Sequence, residues 1–365
     1  MPYDVGKRFL SAIAGRHPAR VLPRLLDRVG MDEAEEDAVP RLEGRIAELL
    51  GKPAAAMFPS GTMAQQVAMR IHADRRGIRT VAWHPQCHLE VHERKGFAVV
   101  HGLTSVLVGN PFELIQLADL AEVREPVAAL LLELPQREIG GRLPSWDDLV
   151  AQAGWARERG AAVHMDGARL WEAQPFYDRP HAEIAALFDT VYVSLYKGLA
   201  GISGAVLAGE PDLIGHARVW RDRLGGAVDR NWPMALTAER GLDELLPRMA
   251  EFAERARKVA AALARLPGAH VVPDPPQTPM FHLHLEAPPA AVREAVRQLR
   301  EEAGLAPPTW VQTMPSPHLS GFEINVSEQL DEVTDTEIGD LFVELMDRAR
   351  VAQSSAGGST SPRMA

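Results

Sequence analysis

Between Arg41 and Gly209 short apolar runs alternate with longer stretches whose apolar residues recur at helical spacing, and no other feature narrows the available folds as far. A parallel strand needs a crossover before its neighbour can form. Strands separated by helices therefore predict an α/β domain, a mostly parallel mixed sheet with helices on both faces. Strands are expected at Ala54–Phe58, Thr80–His84, Phe97–Val100, Ser105–Val108, Val127–Leu134, Ala161–Asp166, Thr190–Leu195 and Ile202–Ala208. Val127–Leu134 has the texture of a strand covered on both faces. Helices are expected where Leu42, Ile46, Leu49 and Leu50 share a face, and at Thr62–Gly77, His88–Lys95, Ser145–Arg159 and His181–Phe188, with Ser145 as an N-cap.

After Gly226 the texture changes. Pro233–Leu266 reads as one long helical stretch that Pro247 kinks or divides. Strand-like runs at Ala269–Val272, Phe281–Leu285 and Phe322–Val326, flanked by helices at Ala290–Ala303 and Asp335–Ala352, predict a smaller C-terminal α+β domain. The expected division is an N-terminal arm at 1–40, holding the solvated acidic loop Asp32–Asp37, then a large domain at 41–240, a small one at 241–352, and a disordered Ser/Gly-rich tail at 353–365. A chain of 365 residues is long enough for two domains at roughly 150 residues each.

Charge and composition exclude several function classes. Acidic residues outnumber basic ones by 49 to 39, and a net charge of −10 repels phosphate backbones, so no nucleic-acid partner is expected. The single cysteine, Cys87, rules out an internal disulfide framework and a Cys-rich zinc site. No apolar run approaches the roughly 20 residues of a membrane helix, and residues 1–18 lack a signal-peptide core. A soluble cytoplasmic protein without a membrane partner is the expectation.

Four segments carry chemistry. Pro59-Ser60-Gly61-Thr62 lies between a strand and a helix, where unpaired N–H groups suit a phosphate; Ser-Gly-Thr there is also how an ordinary N-cap reads. Asp166, in His164-Met165-Asp166-Gly167-Ala168-Arg169, closes an apolar strand at the carboxyl edge of the sheet, where ligands of α/β folds bind. Lys197 closes another and precedes a Gly-rich turn; partly desolvated there it is a candidate Schiff-base amine, though a lone lysine at a strand end is usually a surface residue. Asp166 and Lys197 are 31 positions apart, one strand-helix-strand unit, which sets acid and amine on one edge beside the phosphate-ready turn. Phosphate cradle, carboxylate and amine are together what pyridoxal 5′-phosphate requires. His88 opens a short helix after a strand, where an imidazole could stack on a flat ring. His84, His88 and His92 recur every four residues, but Pro85 separates His84 from that helix and no HExxH pattern occurs, so no metal is expected. His282 and His284 share a strand face and read as packing or solvent-facing residues.

These residues resemble the threonine aldolase / β-eliminating lyase group of fold-type I pyridoxal-phosphate enzymes. The resemblance runs from Met57 to about Leu246 through Pro59–Ala64, His88 with Glu93, Gly140–Pro144, His164–Arg169, Lys197-Gly198-Leu199 and Arg221 with Leu224-Gly225-Gly226. It implies that Lys197 holds the cofactor aldehyde, Asp166 pairs with the pyridine nitrogen, His88 stacks on the ring and Ser60, Gly61 and Thr62 take the phosphate. Arg169 would contact the cofactor or the substrate carboxylate, and Arg221 would lie near the phosphate or a subunit interface. The departures fall on the substrate side. Gln136 stands where the family carries a second active-site histidine, and a glutamine is no base. Glu323 stands where an arginine should grip the substrate carboxylate, Tyr196 replaces the serine before the lysine, and residues 1–40 hold no Arg-Ser-Asp segment.

The implied activity is retro-aldol cleavage of a small β-hydroxy-α-amino acid to glycine and an aldehyde, with Lys197 and His88 catalytic and Arg169 and Gln136 on the substrate. The alternatives are β-elimination, racemisation or aldehyde transfer on the same scaffold, or a catalytically silent partner protein. The resemblance also implies a homodimer or homotetramer.

Overall fold

The computed structural model describes residues 8–10, 18–26, 37–302 and 304–357. They fall into two compact units, one within 21–249 and the other within 1–20 and 250–365. The chain opens with β1 (Arg8–Phe9), α1 (Pro18–Leu26), α2 (Ala38–Leu49), β2 (Ala54–Phe58), α3 (Gly61–Arg76) and β3 (Thr80–Trp83). The short helices α4 (His88–Val91) and α5 (Gly96–Val99) follow, then β4 (Thr104–Leu107), α6 (Leu117–Ala121), β5 (Ala129–Glu133) and α7 (Trp146–Glu158). Next come β6 (Ala162–Gly167), α8 (Leu170–Tyr177), α9 (His181–Ala185), β7 (Thr190–Ser194), β8 (Ala205–Gly209), α10 (Pro211–Arg223) and α11 (Trp232–Arg240).

The larger unit is built on a seven-stranded sheet of order β2-β8-β7-β6-β5-β3-β4. β7, β6, β5, β3 and β4 are parallel, while β8 is antiparallel to both β7 and β2. All five residues of β7 and of β8 are buried, as strands covered on both faces must be. α3 packs across the sheet through Val67, Met69 and Ile71, meeting Trp83, Leu131, Tyr192 and Leu207 in one core. Ser60 starts it, its hydroxyl accepting from the Met63 N–H at 3.2 Å, and Gly77 ends it at φ 66°, where glycine avoids a Cβ clash. Ser145 caps α7 by accepting from the Asp148 N–H, as the sequence predicts. Inside this core, the Thr190 hydroxyl is shared by two buried imidazoles, His72 Nε2 at 2.8 Å and His164 Nδ1 at 2.7 Å.

The smaller unit carries α12 (Met249–Leu263), β9 (Ala269–Val272), β10 (Met280–Leu285), α13 (Pro289–Glu302), β11 (Leu305–Ala306), β12 (Gln312–Thr313), β13 (Ser320–Asn325) and α14 (Asp335–Gly357). Its antiparallel sheet has the order β12-β13-β10-β9. β1 pairs in parallel with β11, and Arg8 reaches Glu337 at 2.6 Å. His282 is buried on β10, its ring 6.1 Å from that of His284.

Several expected elements differ. The expected strand Phe97–Val100 is replaced by α5, which ends at Val99: only Phe97 is held in the core, edge-on to Trp83, while Val99 is 82% exposed. The helix expected at His88–Lys95 stops at Val91, before Arg94 and Lys95 take φ of 51° and 58°. The last strand of the large sheet begins at Ala205 rather than Ile202, because Gly204 turns at φ 100°. The Pro233–Leu266 stretch divides around Pro247, which lies in a 3₁₀ turn at Leu246–Arg248 between α11 and α12. Residues 353–357 of the expected tail continue α14, and 358–365 lie outside the described residues, as do 1–7, 11–17 and 27–36 of the expected arm.

Candidate active site

Four neighbouring parallel strands of the larger unit deliver side chains to one edge. In the order β3, β5, β6, β7, their carboxyl ends lead to His88, Gln136, Asp166 and Lys197. The strand after β3 in sequence lies on one side of it and the next, β5, on the other. Such a reversal opens a crevice at the carboxyl ends, the usual ligand site of open α/β sheets. β2 runs in the same direction as β7, being antiparallel to their shared neighbour β8, so the α3 start at Ser60-Gly61 reaches that edge too. A Cβ on Gly61 would lie 2.1 Å from the Tyr192 hydroxyl; only glycine allows this helix start to sit against β7.

Asp166 is 2% exposed, and its Oδ1 accepts from the Ala168 N–H at 3.0 Å. It stands in register with Glu133 on β5 and Tyr192 on β7. Burial, then the neighbouring Asp166, pushes the Glu133 carboxyl above the usual range. Lys197 keeps part of its surface, yet desolvation and then the Arg169 guanidinium bring its amine down to about 8, against the pull of Asp166, Glu133 and Glu172. Arg169 is buried at the N-cap of α8.

His88 donates from Nδ1 to Glu93 Oε1 at 3.0 Å, and Glu93 Oε2 accepts from Gln66 Nε2 at 2.7 Å. This fixes the tautomer and leaves Nε2 as the basic atom. The ring is not closed in, with 32% of the side chain exposed. Gln136 is buried, and its amide nitrogen donates to the Gln86 carbonyl and to Glu133 Oε2, each at 3.2 Å. The first of these ties the loop after β5 to the loop after β3. Thr62 is exposed, and the Ser60 hydroxyl serves as the α3 cap. His84 has both ring nitrogens engaged, with the Asn110 and Glu113 carbonyls and the Gln86 N–H, so it does not join His88 and His92. Arg221 donates to the Met57 carbonyl at 2.9 Å. Glu323 lies in the smaller unit on β13, opposite His282, and accepts from Asn325 Nδ2 at 2.9 Å.

A model of the beta-eliminating lyase family matches residues 28–286, well over half of the chain. The chain belongs to the beta-eliminating lyase family. Within it, low-specificity L-threonine aldolase 1 of Arabidopsis thaliana is 29% identical over 279 residues, covering 73% of this chain and 76% of the relative. A crystal structure of a candidate L-allo-threonine aldolase from Listeria monocytogenes superposes with a TM-score of 0.88 at 36% identity, covering 95% of this chain and 97% of that one. A candidate aromatic amino acid beta-eliminating lyase/threonine aldolase from Exiguobacterium gives the same score and identity over 95% and 98% of the two chains. The fold is that of fold-type I pyridoxal-phosphate enzymes, a family whose members depend on that cofactor.

The donor set fits the cofactor. A buried acid needs a cationic partner, which a protonated ring nitrogen supplies. The amine lies one strand from that acid. The Gly61 helix start, kept free of a side chain by the Tyr192 hydroxyl, leaves backbone N–H groups for a phosphate. Glu93, a member of the matching sequence stretch, gains its role only from the fold, as the carboxylate behind His88. Glu133, Glu172 and Tyr192 carry no sequence signal of a site; their importance depends on strand register.

Proposed function

We propose that this chain is a pyridoxal-5′-phosphate-dependent lyase that cleaves the Cα–Cβ bond of a β-hydroxy-α-amino acid, releasing glycine and an aldehyde. The observation that carries the reading is Lys197 one strand from Asp166 on the same sheet edge, in a chain whose relatives are named threonine aldolases. Ser60, Gly61 and Thr62 would hold the cofactor phosphate, Asp166 the ring-nitrogen proton, Lys197 the aldehyde carbon, and His88 a ring face. When bound, the cofactor supplies an electron sink for the substrate α-carbon. Lys197, at about 8, presents a useful neutral fraction near neutral pH for attack on a carbonyl and for returning protons. Arg169 grips the substrate carboxylate, and Gln136 lines the substrate side. His88 Nε2, directly or through a water, takes the β-hydroxyl proton; as that oxygen becomes a carbonyl, the Cα–Cβ bond breaks.

The test is aldehyde and glycine release from threonine, allo-threonine and phenylserine by the purified protein. No product above a Lys197→Ala control rejects the reading. Gln136 favours one second reading, because an amide there cannot serve as a second base beside His88. That reading is β-elimination, and pyruvate with ammonia from serine, without aldehyde from threonine, would establish it. The working assembly we propose is a homodimer or homotetramer, and light scattering giving the mass of one chain would refute that.

A further inference from the structure

The first turn of α8 grips the lysine-bearing turn from two sides. Trp171 Nε1 donates to the Ser194 carbonyl at 3.1 Å, just before that turn. Glu172 lies against the residue just after Lys197: a Cβ built on Gly198 would sit 2.6 Å from Glu172 Cδ and 2.7 Å and 2.9 Å from its two oxygens. The backbone N–H of Gly198 lies near enough to favour the ionised form of the Glu172 carboxylate. Glu172 is 8% exposed, and its Oε2 has no hydrogen-bond partner among the described residues. A buried oxygen left unpaired costs stability, and the function proposed above gives it no task.

We propose that Glu172 is a positioning residue for Lys197, which fixes the Lys197-Gly198 turn through its contact with Gly198 and provides a counter-charge to the ammonium form of the lysine. The proposal rests on the reading of Lys197 as the cofactor-bearing amine. It also explains why the residue after the lysine is glycine: any side chain there would displace the carboxylate. The charged groups around Lys197 are Arg169 and Glu172 from α8, Asp166 from β6 and Glu133 from β5, so Glu172 is one of three acids balancing two cations. Burial raises the Glu172 carboxyl, while Arg169, Lys197 and the two backbone N–H groups favour its ionised form.

The test uses the full chain with Glu172→Gln, which keeps the size and shape of the side chain against Gly198 but removes the charge, and Glu172→Asp, which keeps the charge. Acetic anhydride labelling of Lys197 against pH, read by peptide mass spectrometry without added cofactor, gives the midpoint of the amine. Glu172→Gln is expected to lower that midpoint by about one pH unit, with Glu172→Asp staying near wild type. With cofactor added, the pH at which its visible band changes should move in the same direction. Gly198→Ala should lose cofactor affinity by about tenfold, and Glu172→Ala should recover part of that loss. An unchanged labelling midpoint in Glu172→Gln overturns the proposal; if that variant does not fold, strictly additive losses in the Gly198→Ala/Glu172→Ala pair overturn it. A wild-type protein without a cofactor band overturns the reading of Lys197 instead, while the labelling midpoint still reports on Glu172.

Discussion

Lys197 and His88 carry the sharpest predictions because the proposed function rests on them. Lys197→Ala should abolish the cofactor band and lower aldehyde release by on the order of 10³-fold or more. His88→Ala should keep the band and lose about 10²-fold in kcat, the usual scale for a positioned base. Glu93→Gln should cost less, roughly tenfold, since it frees the His88 tautomer without removing the ring; steady-state kinetics on the two variants separate these roles. Lys197 and Asp166 stood out in the sequence because each lies at or just past the end of an apolar strand and a fixed stretch of chain joins them. Glu133 and Glu172 were not. The first matters because it pairs in register with Asp166, the second because α8 folds back onto Gly198, and neither fact has a local sequence signal.

α3 is the element on which phosphate binding depends, and its two ends predict different losses. Gly77→Ala meets open space but must hold φ near 66°, so it should cost about 1–2 kcal/mol of stability and leave cofactor affinity alone. Gly61→Ala places a Cβ 2.1 Å from the Tyr192 hydroxyl, so it should cost cofactor affinity by tenfold or more. Urea titration and a spectroscopic cofactor titration read the two effects separately. The buried strands were legible from composition, since strands covered on both faces are filled mostly by apolar residues. α5 was not, because its apolar residues suggest a strand while just one of them, Phe97, is held in the core. α8 was missed altogether: Leu170–Tyr177 is mostly apolar, contains Pro175, and shows no helical alternation because most of its surface is covered.

Acid should unfold this protein earlier than its carboxylates alone would dictate. Burial lowers His72 and His181 to about 4 and also holds His164 well below the ordinary histidine value. An unfolded histidine titrates near 6.5, so between about pH 6.5 and 4 the unfolded chain binds protons that the folded one refuses. The native state is therefore at full advantage above pH 6.5 and loses about 1.4 kcal/mol per pH unit for each such histidine below it. Urea midpoints measured from pH 7 to pH 4 should fall along that course, and His72→Gln should flatten it. An unchanged slope would place the acid sensitivity elsewhere.

His88, Gln136, Asp166 and Lys197 each arrive on a separate strand of one rigid sheet. In the function proposed, the connections that would touch the substrate and those that would seat the cofactor thus leave from different strands. Selection or an engineer can rewrite the former, swapping which compound is consumed, while the latter stay untouched. In such an architecture new specificities come from exchanging loops, and the inherited chemistry is kept.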